Sequence, residues 1–389
     1  MDNKGKNNIK RIKVVHILQS AGGVAEYLKC FLKYIDTKKF ENVIIASNDY
    51  INQKEVEDKC DKIFYVNMIR DISVCKDIHA IIKIRRIIKQ EKPDIVYLHS
   101  SKAGALGRLA TYFNKKVKII YNAHGWYFNA EIGKFKKKVF ELIERILAYR
   151  TDRIIAISKS EYESAIEKRI CNKEKIVLIE NGIDIEKYAN YDKYREITRK
   201  KYSIKENDII IGIVGRLSEQ KDPISSIKAA VELIKENSSI YFMFIGSGEL
   251  EDKVLQIAKE NGIDANIIIT GWVNNVREYI AAFDIALLPS KWEGFGLAIL
   301  EYMICKKPII TTNLGGISNI LVKENAFWIE KEKPDDIVNQ VKKIINEKQN
   351  ISNMLNDNYN ECRNKYSIKR VVLQTENVFT ELVENKRRK

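Results

Sequence analysis

Arg216 and Lys221 stand five positions apart in the stretch Gly215-Arg-Leu-Ser-Glu-Gln-Lys-Asp222-Pro223. Asp222 reads as an N-cap and Pro223 as the first residue of a helix, so two permanent cations precede a helix N-terminus. That placement opposes the helix dipole, and local stability gives no reason for it. A bound dianion would, each charge-assisted hydrogen bond contributing roughly 1.5–3 kcal/mol. The plainer alternative is an exposed loop that happens to be basic. A second stretch runs Leu287-Leu-Pro-Ser-Lys-Trp-Glu293-Gly294-Phe295-Gly296-Leu297-Ala-Ile-Leu-Glu301. It ends an apolar run, turns through two glycines and opens another helix. Such a turn offers free backbone N–H groups and the positive end of the dipole to an anion such as a diphosphate. Gly294 and Gly296 let the backbone approach a ligand closely. Glu293 would accept hydrogen bonds from hydroxyls beside the phosphates. Glu301, on the second helical turn and too far along to cap it, points to a ligand as well. A tight turn with two solvated acids is the other reading.

Weaker signals lie in other loops. Gln19-Ser-Ala-Gly22-Gly23 and Gly246-Ser-Gly248-Glu are both turns suited to close approach of a phosphate. In Asn122-Ala-His124-Gly125-Trp126, the histidine follows a strand and could hydrogen-bond a substrate hydroxyl or move a proton; a structural histidine is the alternative. His99 ends Val-Tyr-Leu-His and has an equivalent place, whereas His16 in mid-strand and His79 on a helix read as structural. Lys134, Lys136, Lys137 and Lys138 crowd the start of an amphipathic helical segment, again against the dipole. Phosphate or lipid headgroups would suit them, and so would a solvated helix end.

The elements that must position these loops alternate from end to end. Strands are expected at Lys13–Leu18, Asn42–Ser47, Lys62–Val66, Asp94–His99, Val117–Tyr121, Arg153–Ile157 and Ile176–Ile179. After a polar, strand-poor stretch the pattern restarts at Ile209–Val214, Ile240–Ile245, Asn266–Ile269, Asp284–Leu288, Pro308–Thr311 and Ala326–Ile329. Their near-continuous Val/Ile content marks parallel sheets buried on both faces. The expected fold class is therefore α/β, two doubly wound Rossmann-like domains facing across a cleft. The boundaries are 1–187 for the first domain, 188–207 for a linker and 208–365 for the second domain. Residues 366–389 form a terminal helix that returns to the first. Helical segments near 334–348 and 350–385 close the chain.

Composition narrows the function. No apolar run reaches the roughly 18 residues of a membrane span, and the N-terminus has no signal-like core. Six scattered cysteines without Cys-x-x-Cys, and only four histidines, speak against disulfide or zinc frameworks. Residues 1–190 hold 37 Lys/Arg against 24 Asp/Glu, which is +13 of the whole chain's +15. A basic first half implies an acidic partner, whether nucleic acid, phosphorylated substrate or anionic membrane.

Together the loops resemble the retaining glycosyltransferases of family 4, which have the two-Rossmann-domain GT-B fold. The likeness covers nearly the whole chain. Its most specific parts are Gly215-Arg216…Lys221 and the Glu293…Glu301 pair within Ser-x-x-Glu-Gly-Phe-Gly-Leu, with Asn181-Gly-Ile-Asp184 and Gly22-Gly23 in support. The resemblance implies that Arg216 and Lys221 hold the donor diphosphate and that Glu293 meets the donor sugar. Glu301 would meet the ribose, and His124 the sugar near the reacting carbon. Gly22, Gly23, Gly215, Gly246, Gly294, Phe295, Gly296 and Leu297 would complete the donor site. His99 and the four lysines would serve acceptor or membrane. Gly315-Gly316-Ile-Ser-Asn319 departs from the family pattern, with Asn in place of an acid. His99-Ser-Ser-Lys…Gly107-Arg108 and His124-Gly-Trp resemble members that build bacterial surface polysaccharides on polyprenyl-linked intermediates.

The expectation is a hexosyltransferase moving a sugar from a nucleotide-diphosphate sugar, a UDP-linked one first, to a hydroxyl on a lipid-linked saccharide. It would work with retention and, since no Asp-x-Asp occurs, without metal or other cofactor. It would be cytoplasmic and peripheral on the inner face of the plasma membrane. An epimerase acting on sugar nucleotides can share the architecture and is the alternative. A non-catalytic nucleic-acid binder is the remote one, since aromatics are not interleaved with the basic runs and the second half is near neutral.

Overall fold

The computed structural model describes residues 10–19, 23–47, 56, 58–69, 71–347 and 351–387. The chain forms two units, Met1–Glu180 with Ile368–Lys389, and Asn181–Ser367.

Among the described residues the first unit is built on seven strands: β1 (Ile12–Leu18), β2 (Phe40–Ala46), β3 (Lys62–Tyr65), β4 (Ile95–His99), β5 (Lys118–Asn122), β6 (Arg153–Ala156) and β7 (Ile176–Leu178). All pair in parallel, in the order β3-β2-β1-β4-β5-β6-β7. The helices are α1 (Gly23–Tyr34), α2 (Val74–Glu91), α3 (Ser101–Ala110), α4 (Lys134–Ala148), α5 (Lys159–Glu167) and the terminal helix of the chain. Since β1 lies between β2 and β4, the winding reverses at the β1/β4 boundary. Ligands of open α/β sheets bind outside the strand C-termini at such a point. Alternate side chains of the Val/Ile-rich strands feed two cores, one on each face of the sheet.

The second unit repeats the design with β8 (Ile209–Val214), β9 (Ile240–Ile245), β10 (Ile267–Ile269), β11 (Ile285–Leu288), β12 (Ile309–Thr312) and β13 (Phe327–Ile329), ordered β10-β9-β8-β11-β12-β13. Its helices are α6 (Tyr194–Lys201), α7 (Pro223–Glu236), α8 (Glu251–Glu260), α9 (Val276–Ala282), α10 (Leu297–Ile304), α11 (Gly315–Ser318), α12 (Pro334–Asn346) and α13 (Ser352–Lys365); α14 (Ile368–Arg387) ends the chain in the first unit. Here the reversal falls between β8 and β11. The two Rossmann-like sheets expected from the strand pattern are both present.

Two stretches differ from the expectation. Residues 188–207 are no free linker, because they carry α6 and belong to the second unit. The polarity that suggested a linker is arginine serving as packing. Arg199 is buried and donates to the carbonyls of Ala282 (2.9 Å) and Lys205 (2.9 Å), and it pairs with Asp284 (3.2 Å). Arg195 reaches the same Asp284 at 2.9 Å. The segment expected as one helix over 350–385 is two, broken at Tyr366–Ser367. There the Tyr366 carbonyl accepts from Ile183 N (2.9 Å), and a Cβ at Gly182 would lie 2.7 Å from that same oxygen. Beyond the break α14 buries Val371, Val372, Phe379, Leu382 and Val383 in the first unit's core. At on the order of 1.5–3 kcal/mol per large side chain, that is ample to seat a helix.

Candidate active site

In the second unit the strands flanking the reversal part company. β8 and β11 pair only at Ile211 and Gly212. Tyr302, from α10, fills the split: its hydroxyl accepts from Val214 N at 2.7 Å and faces the Leu287 carbonyl at 3.5 Å. The loops leaving β8 and β11 then lie side by side, stitched by Lys291 N to Gln220 O (2.8 Å) and Gln220 Nε2 to Trp292 O (3.0 Å). Asp222 caps α7, accepting from Ser225 N at 3.2 Å, with Pro223 at the helix start.

These loops bring together residues that lie 72 apart in the chain, Lys221 and Glu293, as an ion pair. Ser290 Oγ donates to the same Glu293 oxygen at 2.8 Å. Lys221 is therefore a cation already oriented, its stem lying 3.2–3.4 Å from where a Cβ on Gly215 would be. Arg216 is more than half exposed and pairs with Glu249 at 3.2 Å. A third cation of these loops, Lys291, passed over in the sequence reading, is bound to Glu219 and Glu332.

Beside the Lys221–Glu293 pair, α10 starts at Gly296 with φ 84 and no side-chain cap. Its first intrahelical bond is Ile299 N to Gly296 O (2.9 Å), which leaves the N–H groups of Leu297 and Ala298 ahead of the ladder. Phe295 belongs to the core, nearly fully buried with its ring edge-to-face on Tyr366 at 5.9 Å. It anchors the loop, and what it can offer a ligand is backbone. Gly246 likewise has an internal reason: a Cβ there would fall 2.2 Å from the Gly215 carbonyl, so the glycine lets the loop after β9 lie on the loop after β8. Glu301 Oε1 accepts from the buried Tyr188 hydroxyl at 2.6 Å. Nothing in the spacing announced Tyr188.

In the first unit, His124 follows β5 at φ 53, in the left-handed region, its N–H donating to Asn122 Oδ1 at 2.9 Å. Glu161 pins the residues beyond, accepting from Trp126 N (2.7 Å) while its carbonyl accepts from the indole N–H (3.0 Å). Burial pushes the Glu161 carboxyl up to about 7 despite the bonds from Trp126 and Asn129. Behind His124 stands His99, Nδ1 to Nε2 at 3.1 Å, and behind His99 stands His16, Nε2 to Nδ1 at 3.4 Å. The row ends on Asn42 Oδ1, 3.1 Å from His16 Nε2. Burial holds all three imidazoles neutral: His16 falls to about 4, His124 to about 3, and His99 well below its ordinary value.

His99 is thus no acceptor contact, since it is fully buried with both ring nitrogens engaged. His16 joins the site from behind. Lys134, Lys136 and Lys138 are exposed at the start of α4 and Lys137 is half-buried. Arg108 is fully buried on Glu144 (2.8 Å) and serves the core. Gly23 begins α1, and Gly22 lies outside the described residues.

Two family models match: "Glycosyltransferase Family 4" over residues 21–187 and "Glycosyl transferases group 1" over 194–361. An Escherichia coli UDP-Gal:alpha-D-GlcNAc-diphosphoundecaprenol alpha-1,3-galactosyltransferase is 29% identical, over 98% of this chain and 100% of its own. An uncharacterized 41.2 kDa protein in the cps region of Klebsiella pneumoniae is 30% identical over 80% of this chain and 83% of its own. Among solved structures, Anabaena HepE in complex with UDP-glucose superposes with a TM-score of 0.81 at 18% identity, covering 95% of this chain and 100% of that one.

Proposed function

The chain belongs to family 4 of the glycosyltransferases, and from that premise we propose that it carries a sugar from a UDP-linked donor to a hydroxyl of a polyprenyl-diphosphate-linked saccharide, in the assembly of a bacterial surface polysaccharide. The observation that carries this reading is the Lys221–Glu293 pair set beside the uncapped start of α10, at the strand reversal of the second sheet. The galactosyltransferase of E. coli supplies the precedent for a UDP-sugar and a lipid-diphosphate acceptor.

In this reading the bond between the anomeric carbon and the β-phosphate oxygen breaks, and its electron pair stays on the phosphate. Lys221, Arg216 and the N–H groups of Leu297 and Ala298 meet that charge. Each fixed group is worth on the order of 3 kcal/mol at the transition state. Lys221 moves from Glu293 toward phosphate, which frees the Glu293 oxygens to accept from sugar hydroxyls, while Glu301 takes the ribose. His124, uncharged, touches the sugar without competing for the phosphate. The acceptor oxygen forms its bond on the same face, and its proton passes to the departing phosphate, so configuration is retained. No divalent metal takes part.

The test is mass spectrometry of a nucleotide-sugar panel, with and without a lipid-linked monosaccharide acceptor. Acceptor-dependent release of UDP, unaffected by EDTA, is expected. Donor turnover without acceptor would favour an epimerase, and activity lost to EDTA and restored by magnesium or manganese would remove the metal-free mechanism.

The surface of α4 supports docking on an anionic membrane, where such an acceptor lies. Phe135 (81% exposed), Leu142, Ile146 and Tyr149 (85%) form an apolar stripe along the helix, and Lys134, Lys136 and Lys138 stand at its start. Apolar residues lying in the headgroup boundary with flanking lysines bind anionic bilayers reversibly. No helix among the described residues is long and apolar enough to cross a membrane. Sedimentation with anionic vesicles, weakened by salt and lost with Phe135→Ser, is the expected result; binding insensitive to salt would sink the idea.

A further inference from the structure

The row Asn42–His16–His99–His124 runs from the interior of the first sheet to the loop after β5, and it has a direction. A neutral imidazole has one N–H and one bare nitrogen, so each ring in a row must donate at one end and accept at the other. Asn42 presents Oδ1, an acceptor, to His16 Nε2 at 3.1 Å. His16 therefore carries its hydrogen on Nε2 and accepts at Nδ1, from His99 Nε2 at 3.4 Å. His99 in turn accepts at Nδ1, from His124 Nε2 at 3.1 Å. The last ring is left with a bare Nδ1. The ring planes support a continuous row, since His16 and His99 lie within 15° of parallel with centroids 5.6 Å apart, and His99 and His124 within 23° at 5.4 Å, as rings bonded end to end do. Turning the Asn42 amide round would reverse every bond and put a hydrogen on His124 Nδ1.

We propose that Asn42, acting through His16 and His99, fixes which nitrogen of His124 is bare, so that His124 Nδ1 meets the donor sugar as a hydrogen-bond acceptor. Asn42, His16 and His99 are positioning residues, and only His124 touches the ligand. The inference rests on the reading of His124 given above, and it explains why three of the chain's four histidines are spent in one place. Aromatic walls keep the row in register: Tyr27 sets its ring edge on His124 at 4.8 Å, and Tyr97 lies 4.1 Å from His99.

Two substitutions separate the outcomes. Asn42→Leu removes the end group and leaves both directions open. Asn42→Asp puts an acceptor-only carboxylate against His16 Nε2, so the neutral ring keeps its hydrogen there and the row keeps its direction. Nitrogen-15 NMR of the imidazoles in the ligand-free full-length protein reads the tautomers directly. His124 is expected as the Nε2–H form in the wild type and in N42D, and mixed in N42L. Turnover should fall about twofold in N42L, the share of molecules left competent. N42D should lose less than N42L, since its row keeps one direction. An Nδ1–H tautomer at His124 in the wild type or in N42D, or an unmixed Nε2–H form in N42L, overturns the inference. So does N42L mixing the tautomers while turnover stays at the wild-type rate, provided His124→Ala impairs turnover. If His124→Ala is itself fully active, the reading of His124 at the sugar fails instead.

Discussion

The two sheets end in sites of opposite character. Above β11 the second unit gathers charge, with Lys221 on Glu293 and Arg216 on Glu249. The first unit gathers hydrogen-bonding groups that burial keeps neutral, with His124 held near pKa 3 and His16 near 4. A leaving diphosphate needs fixed countercharge. A sugar hydroxyl needs direction, and a charge near it would compete for the phosphate. On the proposed reading, the same strand-loop-helix geometry serves as an electrostatic device in one unit and a directional one in the other.

Removing charge from the charged site should have the largest effect. Lys221→Ala is expected to lower turnover by about 10²–10³-fold, the usual cost of losing one preorganised transition-state group. His124→Ala should lose less, on the order of tenfold, because a neutral contact is at stake. Steady-state kinetics on proteins with wild-type circular dichroism would measure both. A His124 loss equal to that of Lys221 would break the division of labour.

Acid reads the neutral site. Each imidazole of the row has its folded pKa pushed below the ordinary 6.5, so its contribution to stability is present above that value and lost as pH falls. Glu161 has the opposite sign. Raised from 4.5 to about 7, it contributes fully below 4.5 and loses that contribution as pH rises through 7. Between pH 6 and 5 the three histidines outweigh the one acid by about two protons, so the unfolding equilibrium should shift roughly a hundredfold per pH unit. Urea titrations at the two pH values would measure it. His16→Leu should flatten the slope by about one proton and Glu161→Gln should steepen it by one.

The charged site was the more legible of the two. Arg216, Lys221, Glu293 and Glu301 are local patterns on strand ends, and loop chemistry shows in the order of residues. Hydrophobic periodicity gave the strands for a similar reason, as burial on both faces leaves a continuous apolar run. Long-range pairing hid the rest. Asn42 and His16 lie mid-strand, where a lone polar residue reads as structural, and only the order β2-β1-β4-β5 lines them up behind His124. Tyr188 and Tyr302 act through single hydroxyls on partners 113 and 88 residues away. The linker was misread because buried arginines on backbone carbonyls look, in sequence, like solvated ones.

A smaller effect is expected at Arg216. With its side chain more than half exposed and its partner Glu249 equally so, it is held less firmly than Lys221. Arg216→Ala should cost turnover about tenfold, and the loss should shrink as salt screens the wild-type side chain. Salt-independent loss equal to that of Lys221→Ala would mean that donor binding orders Arg216 fully.

The smallest effect tests whether Glu301 serves binding alone. Tyr188, buried in the turn before α6, gives its hydroxyl to Glu301 Oε1 at 2.6 Å. Tyr188→Phe removes that donor and leaves the ring in place, so the carboxylate keeps its position but loses one restraint on its orientation. A contact to ribose is made equally in ground and transition states, and weakening it should raise KM for the donor about threefold with kcat unchanged. A fall in kcat at constant KM would instead put Glu301 among the groups that act only at the transition state. The carboxylate would then belong with Lys221 in the chemistry, and the charged site would extend a further turn along α10.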